Sequence, residues 1–342
     1  MAILGRSSIQ YEKPVYVAGS GSVVGQMEAQ GPLGDYFDEV SEDKEDMFGE
    51  DTWEKAESML QQKAIELTLQ KTGMKPEEMR YLFAGDLLGQ SIASSFGVLN
   101  FQIPLFGLYG ACSTCGESLS LGSMAVAAGY AEHCMCVTSS HYASAQKEFR
   151  FPLTYGGQRP LYASWTVTGS AGFILSATKR TKVAVTGITT GKIVDLGIKD
   201  SFNMGCAMAP AACDTLLTNL QDFNRKVQDY DAVITGDLGE YGREALIDLL
   251  KEQNIEAGDR LLDCGMLIYD SNKQDVHAGG SGCGCSATVL SAYLLKQLEK
   301  GIWKRILFMP TGALLNKTSF NEGQNIPGIA HGVIFENVQQ IM

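Results

Sequence analysis

The same succession of strands and helices is written twice along this chain. Residues 15–25, VYVAGSGSVVG, read as a strand opening into a glycine-rich turn, and residues 182–192, KVAVTGITTGK, have the same shape. A helical stretch from Ala64 to Lys71 leads to the strand YLFAGDLLG at 81–89, as CDTLLTNLQDF leads to AVITGDLGE at 232–240, and both strands run into Gly-Asp-Leu. The run 111–140, ACSTCGESLSLGSMAVAAGYAEHCMCVTSS, lies against 284–312, GCSATVLSAYLLKQLEKGIWKRILFMPTG. Each is a helix of small and apolar residues closed by a glycine, Gly129 or Gly301, and followed by an apolar strand. Finally GSAGFILSA at 169–177 matches GIAHGVIFE at 328–336.

Two halves in one order predict a duplicated α/β unit with pseudo-twofold symmetry, divided near residue 180 into halves 1–180 and 181–342. Continuous apolar strands alternating with helices predict sheets covered on both faces. The helix after Cys112 is so rich in Gly, Ala and Ser that it belongs between the two sheets, where only small side chains allow close approach. The break in symmetry is GPLGDYFDEVSEDKEDMFGEDTWEKAE, residues 31–57. It reads as a solvated, partly helical surface excursion, without the ligand spacing and central glycine of an EF-hand.

Several function classes fall away on composition. A net charge of -12 over 342 residues leaves no basic footprint for nucleic acid, and Lys and Arg never cluster into a lipid-facing patch. The N-terminus lacks a signal-peptide core and no apolar run reaches the length of a membrane span, so a cytosolic chain is expected. In that compartment nine cysteines are expected to be reduced, and mostly buried as small hydrophobes. Cys112 and Cys115 in CSTC are spaced like a redox or zinc pair. Thioredoxin-like pairs sit in a fold half this size, and zinc requires a second ligand pair, which Cys283 and Cys285 supply only if the halves bring matching helices together.

The GACST turn before a small-residue helix, TGSAGFILSA closing the first half and GCGCSATVLSAYLL opening the core of the second resemble the thiolase and β-ketoacyl synthase superfamily, over nearly the whole chain. More narrowly, GDLLGQS, GACSTCGESL, FRFPLTYGGQRP, TGDLGEYG and HAGGSGCGCSA are similar to the stage V sporulation AD family of endospore-forming bacteria. That resemblance implies a thiolase-like fold, binding of dipicolinic acid or its calcium complex, and a part in its uptake into the developing spore. It further implies a place peripheral to the spore inner membrane, other spore membrane proteins as partners, and a homodimer joined at the sheet edge of the first half. No cofactor is implied beyond calcium accompanying the ligand.

In the superfamily a cysteine attacks an acyl thioester, and two further polar groups activate it and hold the oxyanion: two His, a His with Asn, or a His with a second Cys. The cysteine is Cys112. The place of the synthases' first His falls on Gly236 or Asp237, that of the thiolases' His on Ser281, that of the alternative Asn near Gly284, and that of the second Cys near Ile326. None carries the superfamily residue. Only four His occur: His133 reads as a helix C-cap, His141 follows a strand end, and His277 and His331 lie near the glycine-rich turn and the closing strand. A thiol without a base forms little thiolate, so a non-catalytic binding site is expected, with acyl transfer by Cys112 as the alternative. Candidate ligand-binding residues are Cys112, Asp237, Ser281, His331, Arg159, Arg150 and His141. The two arginines stand for bidentate pairing with a carboxylate. Asp237 would repel a bare dianion, and so meets a calcium-bound form or orients a neighbouring donor.

Overall fold

The computed structural model describes residues 2–149 and 158–341. In the first half the elements that matter are β1 (Ser8–Val24), α1 (Trp53–Thr72), β2 (Tyr81–Gly85), β3 (Leu105–Leu108), α2 (Thr114–Ala127), β4 (His133–Ser140), α3 (Tyr142–Phe149) and β5 (Gly169–Ser176). The second half supplies β6 (Val183–Thr189), α4 (Met204–Asp222), β7 (Ala232–Thr235), α5 (Gly239–Glu252), β8 (Leu261–Asp263), α6 (Cys283–Val289), β9 (Arg305–Met309) and β10 (Gly332–Asn337). α6 runs on through a π-helical turn at Leu290–Leu294 into Leu295–Glu299.

Ten of these strands form one path, β8-β7-β9-β10-β6-β1-β5-β4-β2-β3. Read outward from the central antiparallel pair β6 and β1, each half has the same order and the same directions: two antiparallel steps, then two parallel ones. Every residue of β4 and β5 is buried, as continuous apolar strands require when both faces are covered.

The small residues decide how closely the layers approach. α1 starts at Thr52, whose hydroxyl accepts the Lys55 N–H, and stops at Gly73, which adopts the left-handed φ of +67° that a C-cap glycine takes without strain. It lies against the sheet where β1 and β5 are stripped of side chains: a Cβ on Gly172 would stand 2.6 Å from the Thr68 hydroxyl. On the inner side, a Cβ on Gly122 in α2 would meet Cys136 Sγ at 2.7 Å, and one on Gly116 would press on Pro310 and the His331 carbonyl at 3.1 Å. α2 is thus a central helix, held between its own sheet and elements of the second half.

Two local expectations change. The acidic stretch 31–57 is tied down rather than solvated: Leu33 and Phe37 enter the core, Glu39–Val40 pairs with the end of β1, and Lys63, Lys71 and Lys296 reach Glu39, Asp38 and the Tyr36 carbonyl. Its acidic count concealed those two apolar anchors. His133 is the first residue of β4, paired with Ser176, and not a cap on α2, because the chain leaves the helix at Ala128 and needs four residues to reach the sheet.

Candidate functional site

The site begins with a turn. Ala111 has φ +52°, a left-handed conformation that costs a Cβ-bearing residue of order 1 kcal/mol. Short hydrogen bonds hold it there, from Thr114 Oγ1 to the Ala111 carbonyl and from Ser113 Oγ to the Gly110 carbonyl, both 2.6 Å. The strained turn aims Cys112 away from its own helix and towards the second half.

What Cys112 meets is Asp237. The thiol donates to the Asp237 carboxyl, which also accepts the Gly282 N–H at 2.9 Å through Oδ2 and the Thr311 hydroxyl at 2.9 Å through Oδ1. Three donors favour the carboxylate, but burial outweighs them and pushes Asp237 up to about 7. Burial also drives the Cys112 thiol well above its ordinary range, and the negative charge of Asp237 adds to the effect. Asp237 is therefore a carboxyl partner of the thiol, and its charge disfavours a thiolate rather than generating one.

Cys112 opens on a small cavity of about 20 Å³ walled by Leu87, Ala145, Phe149, Thr166 and Ser281 among others. That is space for a single water, whereas ligand pockets generally run to hundreds of Å³, so a ligand enters only if the wall moves. Behind the wall Cys283 donates its thiol to the Ser139 carbonyl at 2.9 Å. Beyond it lies a fully buried acid pair. Glu57 accepts the Ser139 and Ser144 hydroxyls at 3.1 and 2.6 Å, and Asp86 accepts the Ser94 N–H and hydroxyl at 2.7 and 2.6 Å. Burial, then the Asp86 charge, pushes Glu57 up to about 8, and burial moves Asp86 upward too.

The structure brings Cys112, Asp237 and Ser281 together and places the other candidates elsewhere. His331 takes the Gly191 N–H on Nδ1 at 3.3 Å, and burial lowers it to about 4, so it is a neutral ring outside the cavity wall. His141 spends both nitrogens on the backbone, Nε2 on the Asp46 carbonyl at 3.0 Å and Nδ1 on the Ala143 N–H at 3.2 Å. His277 Nδ1 reaches the Pro160 carbonyl at 2.9 Å. Gly236 accepts the Cys285 thiol on its carbonyl, Gly284 packs on Ser140, and Ile326 is buried in the second half's core. Arg159 does not line the cavity: it stacks at 4.7 Å over Trp165, the neighbour of the lining residue Thr166, pairs with Asp275 at 2.8 Å, and keeps Nη1 buried without a partner among the described residues. Arg150 lies outside the described residues. Cys115 is fully buried within α2, its thiol pushed up to about 12. Among the described residues no group of three or more His, Cys, Asp or Glu is arranged to hold a metal.

Sequence reasoning missed Thr311, Gly282, Glu57 and Asp86. One signal was there for Asp86. The duplicated Gly-Asp-Leu puts Asp86 at the end of β2 and Asp237 at the end of β7, so the two aspartates are symmetry mates on either side of Cys112 and Cys283.

Solved structures that share this fold define its class. The chain superposes with a TM-score of 0.61 on OleA of Xanthomonas campestris (12% identity, 95% of this chain and 99% of that one). It superposes at 0.59 on human mitochondrial 3-ketoacyl-CoA thiolase (12%, 96% and 99%) and at 0.55 on 3-oxoacyl-[acyl-carrier-protein] synthase III of Aquifex aeolicus (11%, 94% and 99%). The fold is thiolase-like. Residues 5–336 match the family described as stage V sporulation protein AD, and the chain is 41% identical over 336 residues to stage V sporulation protein AD of Bacillus subtilis, covering 98% of each. The chain belongs to the stage V sporulation protein AD family.

Proposed function

We propose that this sporulation protein is a non-catalytic binder of dipicolinic acid on a thiolase-like scaffold, supporting uptake of that ligand into the developing spore. The observation that carries the non-catalytic reading is the Cys112–Asp237 pair: a carboxyl raised to about 7 hydrogen-bonded to a thiol raised still further. In its acid form Asp237 is a neutral donor, which removes the repulsion a dicarboxylate would otherwise meet. The choice of dipicolinate rests on the family resemblance, with calcium as an accompanying ion and no resident cofactor.

Calorimetric titration of the full chain with dipicolinate, with and without calcium, tests this. Heat of binding in the wild type that disappears in a Cys112→Ala, Asp237→Arg double variant is expected. Absence of heat in both conditions, or unchanged affinity in the double variant, sinks the reading.

Acyl transfer is the second reading, favoured by one fact: Asp237 is in hydrogen-bonding reach of the thiol, as a general base must be. Mass spectrometry after incubation with acyl-coenzyme A thioesters separates the two, since a rapidly formed, stable adduct on Cys112 belongs to an enzyme.

The reading extends to partners. β3 is a sheet edge paired on one side only, and Leu105, Phe106 and Tyr109 on or beside it are exposed together with Phe96. Such an edge suits a second copy of the chain. Among the described residues no helix is long and apolar enough to cross a membrane. The proposed place at the spore inner membrane therefore rests on membrane partners.

A further inference from the structure

Glu28 sits on the short helix Gln26–Ala29 and is 1% exposed. Its Oε1 accepts the Thr168 N–H at 3.0 Å from the first half and the Tyr269 hydroxyl from the second. Its Oε2 is buried with no partner among the described residues. The space this oxygen faces is shared with Asp46: a Cβ built on Gly25 would lie 2.7 Å from Glu28 Oε2 and 2.5 Å from Asp46 Oδ2. Asp46 Oδ1 is occupied by the Gln26 N–H at 3.0 Å. Two carboxyl oxygens therefore line one space above Gly25, Glu28 buried and Asp46 half-buried, and neither carboxyl joins an ion pair among the described residues.

Asp46 also carries a tether. Its carbonyl accepts His141 Nε2–H at 3.0 Å, while His141 Nδ1 accepts the Ala143 N–H of α3 at 3.2 Å. Through this neutral imidazole the acidic excursion is fastened to the helix whose Ala145, Gln146 and Phe149 wall the Cys112 cavity.

We propose that Glu28 and Asp46 share one proton, and that this acid–carboxylate pair is a pH-operated latch docking residues 41–51 onto α3. With the proton in place, Glu28 Oε2–H donates to Asp46 and the orphan oxygen is satisfied. When the proton leaves to water, a buried Glu28 carboxylate faces the half-buried carboxylate of Asp46, and the relief is for Asp46 to swing out, releasing the tether.

The groups around the pair supply no substitute charge. Tyr269 is a neutral phenol raised by burial, and His141 is lowered by burial and stays neutral. Asp43 is committed to the N–H groups of Glu45, Met47 and Phe48 at 3.1, 2.8 and 2.9 Å. Glu54, on the neighbouring turn of α1, is held by Lys147 at 2.6 Å. Consistent with a retained proton, burial raises Glu28 to about 7 and moves Asp46 upward. Because the docked-state value is raised, docking is strongest in acid. It weakens as pH rises from the ordinary carboxylate range through 7, about tenfold in the opening equilibrium per pH unit, and levels off above.

Hydrogen exchange of the full chain between pH 5.5 and 8.5, corrected for intrinsic rates and followed in peptides covering 41–51 and 142–149, tests this without any ligand. The expected wild-type result is opening that rises about tenfold per unit up to pH 7 and then flattens. Glu28→Gln keeps Oε1 for Thr168 and Tyr269 and offers a permanent N–H donor to Asp46, so its protection is expected to persist at pH 8. Asp46→Asn, which removes the second charge, should also flatten the profile. A wild-type opening that ignores pH overturns the latch, as does a wild-type slope retained in Glu28→Gln. Full protection restored at pH 8 by millimolar magnesium or calcium would assign a cation to the space and equally overturn the shared proton.

Discussion

Asp237→Asn isolates the energetic cost of the buried acid in the cavity. The amide oxygen can keep the Gly282 N–H, and the amide N–H can donate to Thr311, whose hydroxyl then turns to accept, so the fixed cost of the change is about 1 kcal/mol. The pH-dependent part is larger. Asp237 goes from 3.8 unfolded to about 7 folded, and each unit is worth about 1.4 kcal/mol. A folded-state value raised above the unfolded one means full stability below pH 4, lost progressively as pH climbs to 7. The asparagine variant has no such loss, so its stability relative to wild type should improve by about 1.4 kcal/mol per unit across that range, to a ceiling near 4 kcal/mol, and stay level above. Glu28, Glu57 and Asp86 titrate in both proteins and cancel in the difference. Urea unfolding at half-unit intervals from pH 4.5 to 8 measures it. A difference that stays constant with pH would show that Asp237 is ionised in the folded chain at ordinary values, and the neutral-donor argument would fail.

Three further outcomes are expected. In the native protein at pH 7.5, Cys112 should react with iodoacetamide at least about tenfold more slowly than a free thiol, because burial and Asp237 hold it protonated; a rate at or above the free value, read by peptide mass spectrometry, would contradict that. Gly172→Ala drives a methyl to 2.6 Å from the Thr68 hydroxyl and 3.1 Å from the Ala64 carbonyl, so α1 must lift, and a loss of about 1–3 kcal/mol is expected in thermal or urea unfolding. Phe106→Glu places a charge on the exposed edge of β3, and light scattering should then report a single chain where the wild type reports two; a dimer that survives the change does not use that edge.

The architecture is legible in the sequence because it is written twice. The paired motifs at 81–89 and 232–240, and the two glycine-closed helices, fix the order of elements without any long-range information. The site is legible only in part. Cys112 and the neighbourhood of Asp237 emerge from the superfamily resemblance, which puts a cysteine at the first and a histidine's place at Gly236 or Asp237. The hydrogen-bond partners of Asp237 do not, because the Gly282 N–H and Thr311 arrive from 45 and 74 residues away along the second half and depend on how that half folds back on itself. Histidines mislead for a related reason. His141 and His331 stand at strand ends, where ligand-facing residues are common, yet local backbone groups take their ring nitrogens, and no spacing rule reveals that.

On the proposed binding reading, the buried acids account for a cavity that holds a ligand without reacting with it. To make a thiolate, Cys112 must pass its proton to Asp237, from a group well above 9 to one near 7. That transfer is uphill before any substrate arrives, because burial penalises the thiolate more than a donor at Asp237 can offset. A histidine base would end the transfer as a cation beside the thiolate anion, each stabilising the other. Asp237 can only go from anion to neutral acid and leaves the new thiolate unpaired in a dry site. Burial also raises Glu57, to about 8, and moves Asp86 upward behind the wall, so charge around the cavity lining is disfavoured. Such a lining costs a carboxylate ligand little in repulsion and offers it hydrogen-bond donors. On the proposed reading, the same protons that disfavour a thiolate at Cys112 leave room for an anion.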